Sequence, residues 1–182
     1  MNLTNSSIWN GSTGFVTVGD GRCVTDGPFS GLRPVLYNHT YSQHCLLRGF
    51  RDGSKAGRLP STPFSPESVG GLLREPTCEK FVRQIEFSVH NIMHLSIAGD
   101  FLALTAANDP IFFVHHAQLD RLWWQWQQEN LGKRVQEYHG EHMFNSTRKV
   151  SLSDMTMVGG LAEDIPVSKV MNTKDGFLCY RY

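Results

Sequence analysis

Only the stretch from Thr77 to about Gly132 of this 182-residue chain carries apolar residues at sustained helical spacing, so the fold must be organised around it. Upstream, residues 1–75 are rich in Gly, Ser, Pro, Asn and Thr and hold no apolar period long enough for a helix. So long a stretch without regular structure does not make a compact domain of its own. It reads as a loop-rich connector draped over a core and stapled by Cys23 and Cys45. The expectation is a mainly α chain forming a single partial domain over 1–182. Its parts are the connector (1–75), a helix pair (76–130) and a C-terminal core segment (131–182), with short strands near Val167–Val170 and Phe177–Tyr182.

The first helix is predicted from about Thr77 to His94. Thr77 follows Pro76 and suits the N-cap, Glu79 complements the first turn, and Phe81, Val82, Ile85, Val89, Ile92 and Met93 form a broad apolar surface. The second begins at Asn108-Asp109-Pro110, with Asp109 as cap and Pro110 at the first helical position, and runs to about Gln128. Its first half, Ile111-Phe112-Phe113-Val114, is almost wholly apolar, which places this helix centrally.

Composition excludes some partners. Seventeen acidic and seventeen basic residues give no net charge and hence no electrostatic reason to expect nucleic acid. No apolar run approaches the roughly 20 residues a membrane span needs, and Met1–Ser7 does not read as a signal peptide. Two other features point to an oxidising, secretory setting. Cys23, Cys45, Cys78 and Cys179 make an even set with three full pairings open, and none is spaced as a zinc ribbon. Asn2, Asn5, Asn10, Asn38 and Asn145 each open an Asn-x-Ser/Thr acceptor triplet. A Ser/Thr-rich loop composition would produce such triplets too.

The chemistry gathers on the two helices. His90 and His94 are four apart, so both imidazoles leave one face, and Glu86 extends the same stripe one turn back. Glu86 is placed to hold a water or to steady an imidazole. His116 lies in the most apolar helix, where an unpartnered imidazole is costly. Its neighbour His115 points about a quarter-turn away, so only one of the two should face the first pair. Asp120, one turn beyond His116, either orients that ring or pairs with an arginine such as Arg83. A His-x-x-x-His zinc protease needs a glutamate directly after the first histidine, and here that residue is Asn91, whose amide cannot take a proton from water. Three neutral imidazoles suit copper or zinc. His39, His44, His139 and His142 lie in polar or turn-rich segments and read as surface residues.

The run His90-Asn91-Ile92-Met93-His94, followed by Asn108-Asp109-Pro110 through Phe112, His115-His116, Asp120-Arg121 and Trp123, resembles the second copper-binding (CuB) half of the tyrosinase, catechol oxidase and haemocyanin family. The connector segments Cys23–Phe29 and His44–Phe50 resemble those of filamentous-fungal members, and Tyr180-Arg181-Tyr182 resembles the family's closing Tyr-x-Tyr motif. The resemblance implies a partial helical-bundle core and copper held by His90, His94 and His116, one ion here against two in a complete site. Glu86 with Asn91 would hold the water that deprotonates a phenol. Ala103 would lie over the metal and leave the pocket open, and Phe112 would pack on a ligand ring. The substrates implied are phenols or o-diphenols together with dioxygen. The family's CuA half precedes its CuB half, so the resemblance also implies a partner segment bearing three more histidines, without which this chain should be inactive. The alternative is a non-catalytic copper or oxygen binder.

Overall fold

The computed structural model describes residues 3–12, 14–15, 21–141 and 147–182; Met1, Asn2, His142 and Asn145, singled out above, lie outside them. Contacts divide the chain into two compact units, Met1–Val69 with Glu86–Leu119 and Gly70–Ile85 with Asp120–Tyr182.

In the first unit the connector is irregular but pinned at several points. Strand β1 (Arg22–Cys23) would end in solvent without β4 (Leu47–Arg48), with which it pairs antiparallel, Cys23 opposite Leu47. The Cys23–Cys45 disulfide closes the same junction, with Cα atoms 5.4 Å apart. Between them β2 (Leu36–Tyr37) and β3 (Thr40–Tyr41) form a hairpin whose tight turn holds Asn38 at φ 53°, a conformation that asparagine tolerates better than most residues. A second small hairpin joins β5 (Arg51–Asp52) to β6 (Lys55–Ala56). Trp9, Phe50, Leu59, Ile97, Phe101 and Ile111 form the buried core here.

The helices follow the caps the sequence supplies. The reading above missed α1 (Pro66–Leu73), where Pro66 takes the first helical position and Ser65 Oγ accepts from Ser68 N at 3.2 Å. Two adjacent glycines, Gly70 and Gly71, hide its apolar spacing. Thr77 does cap α2 (Cys78–Ile85), its hydroxyl accepting from Lys80 N. The predicted first helix is not one regular helix, however. Glu86–His90 form a π turn and α3 spans Asn91–Ile97, three residues past His94. Asp109 caps α4 (Ile111–Gln128) as predicted, with Oδ1 accepting from Ile111 N at 3.1 Å. The same carboxylate makes a fully buried two-pronged ion pair with Arg48, both contacts 2.7 Å. No helix among the described residues is long and apolar enough to cross a membrane.

In the second unit Trp126 is fully buried. It stacks on Phe81 at 4.9 Å, carries the Arg134 guanidinium over its ring at 4.3 Å and donates its indole N–H to the Glu75 carbonyl. Gln127 donates to the Met171 carbonyl at 2.9 Å. A four-residue α5 (Leu131–Arg134) follows α4. The C-terminal strands differ from expectation: β7 (Met155–Thr156) pairs with β8 (Ile165–Pro166), and Val167–Lys169 is a 3₁₀ turn. Pro166 has no N–H to extend a ladder. Residues 177–182 form no strand. Their alternating pattern instead brings two tyrosine hydroxyls to one acceptor, Tyr180 at 2.5 Å and Tyr182 at 2.7 Å from Asp120 Oδ2.

Candidate metal centre

The π turn delivers His90 and α3 delivers His94 one turn later; α4 supplies His116. The ring centroids of His90 and His94 are 4.7 Å apart, and that of His116 lies 5.2 Å from the first and 5.6 Å from the second. One ligand nitrogen from each ring lies within 4.8 Å of the others. Three nitrogens about a tetrahedral metal at bonds of 2.0–2.1 Å sit roughly 3.3 Å apart, so a closing of about 1.5 Å completes the site.

Hydrogen bonding fixes two of the rings. His90 Nδ1 lies 2.8 Å from Glu86 Oε2, and a carboxylate can only accept there, so the proton sits on Nδ1. His94 Nδ1 donates to the Phe101 carbonyl at 2.6 Å. In both, Nε2 is left as the bare donor atom. An imidazole steadied through its other nitrogen by a carboxylate or a backbone carbonyl is the usual condition of a metal-binding histidine. Nε2 of His94 and of His116 are both buried without a hydrogen-bond partner. Buried polar atoms are seldom left so, because each costs about 1–3 kcal/mol. A coordinated cation satisfies both.

For His94 and His116 the surroundings favour the neutral ring. Burial lowers the pKa of His94 and His116, with the neighbouring histidines adding to it. Metal binding requires neutral rings. Phe101 stacks on His94 at 4.3 Å, and Phe112 meets His116 in a tilted contact with centroids 4.0 Å apart. Phe112 thus lies against the ring of a candidate ligand; Phe101 was missed because it lies beyond the helix end, where no period links it to His94. Ala103 is half-buried at the end of the 3₁₀ turn Gly99–Leu102, and Asn91 opens α3.

His115 is drawn in further than expected. Its buried ring lies 5.5 Å from His94 and 5.9 Å from His90, with Nε2 unpaired, and burial takes its pKa down to about 3. His44 also departs from the surface reading. It is largely buried, with Nε2 2.8 Å from Asp100 Oδ1 and Nδ1 2.6 Å from the Ser42 carbonyl. His39 and His139 are exposed, as read. In the second unit, Asp120 serves as acceptor for Tyr180 and Tyr182, a role its position beside His116 in sequence did not suggest.

Helix-borne imidazoles steadied by a carboxylate and a carbonyl make a three-histidine group of the kind that takes copper or zinc. A profile of the common central domain of tyrosinase matches residues 2–129. The chain is 59% identical over 191 aligned residues to a tyrosinase of Aspergillus flavus, covering all of this chain and 53% of that protein. It is 58% identical over 192 residues to a tyrosinase-like protein of Diaporthe leptostromiformis, covering all of this chain and 49% of that one. A polyphenol oxidase structure from Thermothelomyces thermophila superposes with a TM-score of 0.64 at 24% identity, over 94% of this chain and 52% of that one, and shares the fold. The chain belongs to the tyrosinase family, whose members are copper proteins. It spans about half the length of the curated relatives it matches.

Proposed function

We propose that this chain supplies the CuB half of a tyrosinase-like oxidoreductase that oxidises phenols or o-diphenols to quinones with dioxygen, acting with a CuA-bearing segment. The observation that carries the reading is the pair of buried, unpartnered Nε2 atoms of His94 and His116 converging with His90. Bound copper supplies the redox chemistry toward dioxygen. His90, His94 and His116 would hold it through Nε2. Glu86 keeps the His90 proton on Nδ1, and its carboxylate, about half exposed, would with Asn91 hold a water able to take the proton of an incoming phenol. Ala103, with only a methyl group, would leave room for that phenol. Support for a half-site comes from the described residues, among which this is the one group of three metal-ligating side chains. The same count supports a second reading, a copper binder without turnover. The Cys23–Cys45 bond supports a secretory or extracellular location.

The test is oxygen uptake with a diphenol, using copper-loaded chain alone and together with a CuA-bearing segment from a relative. Uptake only in the mixture is expected. Robust turnover by the chain alone overturns the half-site reading, and failure to bind copper overturns the whole assignment.

A further inference from the structure

The turn that follows α3 is strained, and it touches a candidate ligand. Ala98 has φ 54° and ψ −158°, a conformation almost confined to glycine, and Gly99 follows at φ 58°. A non-glycine residue there costs of order 1–3 kcal/mol and persists only where its surroundings hold it. The approach is close. A Cβ on Gly99 would meet the Leu47 carbonyl oxygen at 2.2 Å, and one on Gly49 would meet Ala98 Cβ at 2.9 Å. Gly49 and Phe50 both donate to the Ile97 carbonyl, at 2.6 and 3.3 Å. Two residues after Gly99 comes Phe101, whose carbonyl fixes His94.

The turn is held by Asp100, which is fully buried. Its Oδ2 accepts from Leu47 N at 2.8 Å, and its Oδ1 faces His44 Nε2 at 2.8 Å and Asn108 Nδ2 at 3.4 Å. The β2–β3 hairpin pins the next residues: Asn38 Oδ1 accepts from Leu104 N, Asn38 N donates to Thr105 Oγ1, and Asn108 Nδ2 donates to the Leu36 carbonyl. Of these anchors only His44 brings a group that can carry positive charge to the Asp100 carboxylate. Both its ring nitrogens face acceptors, which suits the imidazolium.

We propose that His44 is a positioning residue for the metal centre: through Asp100 it holds the strained 98–102 turn so that the Phe101 carbonyl keeps His94 Nε2 directed at the metal. The inference rests on the copper reading above. A partner bonded directly to a ligand is worth ~10- to 100-fold in metal affinity; His44 acts through Asp100 and the turn, so its removal should cost affinity at the lower end of that range.

The experiment is a Cu(II) competition titration on the full chain, its His44→Ala and His44→Gln variants, and Asp100→Asn, with electron paramagnetic resonance of each loaded form and amide exchange of each metal-free form. His44→Ala is expected to weaken copper by about 10-fold, alter the Cu(II) spectrum and speed exchange at Phe101–Leu104. His44→Gln, which keeps an N–H for Asp100, should restore most of the affinity. If His44→Ala fails to fold, Asp100→Asn decides, since its amide cannot accept from both His44 and Leu47; parent-like affinity would overturn the proposal. So would His44→Ala affinity within about threefold of the parent, or a loss that Gln does not rescue; a purely structural role lowers the melting temperature and leaves copper affinity per folded molecule unchanged. A parent chain that takes up no copper would sink the metal assignment itself, a result distinct from these.

Discussion

Replacing Asp109 with alanine should be among the most damaging single changes available to the first unit. The carboxylate and its partner Arg48 are both fully buried and meet through two contacts of 2.7 Å. Removing one member of a buried pair costs about 3–5 kcal/mol where the remaining charge has lost its compensation. Arg48 keeps the Phe15 carbonyl among its partners and lies 5.8 Å from the centre of the Trp9 ring, which trims the loss. Asp109 also caps α4, adding about 1 kcal/mol. The sum, roughly 4 kcal/mol or more, rivals the whole stability of a small domain, about 5–15 kcal/mol. Urea unfolding followed by tryptophan fluorescence should show a large fall in midpoint for Asp109→Ala. The double variant Arg48→Met/Asp109→Ala should recover part of it, because the buried guanidinium is then removed along with its carboxylate. A loss below about 1 kcal/mol for Asp109→Ala, or a double variant worse than either single, would refute the reasoning.

Four further outcomes are expected. His94→Ala or His116→Ala should reduce copper affinity by more than the ~10- to 100-fold typical of an outer partner, read by competition titration. Because burial lowers the pKa of His94 and His116, protons compete with the metal at these two rings only at lower pH than at an ordinary histidine; the fall in copper uptake on acidification should therefore lie below that of a free imidazole ligand, checked by titration across pH. His44, whose pKa is raised chiefly by its hydrogen bond to Asp100, stabilises the fold fully below about pH 6.5 and loses that contribution as pH climbs through its raised value. The gap in melting temperature between parent and His44→Ala should therefore narrow on going from about pH 5.5 to about pH 8. In the second unit, Tyr180→Phe removes a 2.5 Å hydrogen bond to a carboxylate and should cost about 1.5–3 kcal/mol, with Tyr182→Phe, at a more exposed hydroxyl, costing less; chemical denaturation measures both.

The helix-borne part of the centre was legible in the sequence because periodicity and caps act locally. Four-residue spacing puts His90 below His94 whatever else the chain does, and Asp109-Pro110 starts a helix on its own chemistry. The π turn at Glu86–His90 was not legible, since its extra residue leaves no mark on composition. Long-range partners were equally hidden. Arg48 and Asp109 are 61 residues apart, and His44 and Asp100 are 56 apart, so neither pairing produces a pattern along the chain. His44 looked solvent-facing because its neighbours are polar; the carboxylate that buries it arrives from another segment. Tyr180 and Tyr182 gave a strand-like alternation for a reason unrelated to strands, the sharing of one acceptor.

The backbone at Ala98 bears on how the centre yields when disturbed. A residue held in a basin it would leave if released behaves like a latch under load. Once the grip on Asp100 is lost, the turn gains energy by moving and has no reason to hover near its old place. Glycine there would lie at ease in either arrangement and would let the carbonyl of Phe101 wander by degrees. With alanine the choice would be abrupt, and on the positioning proposed for His44 the ring of His94 would be either properly aimed or released.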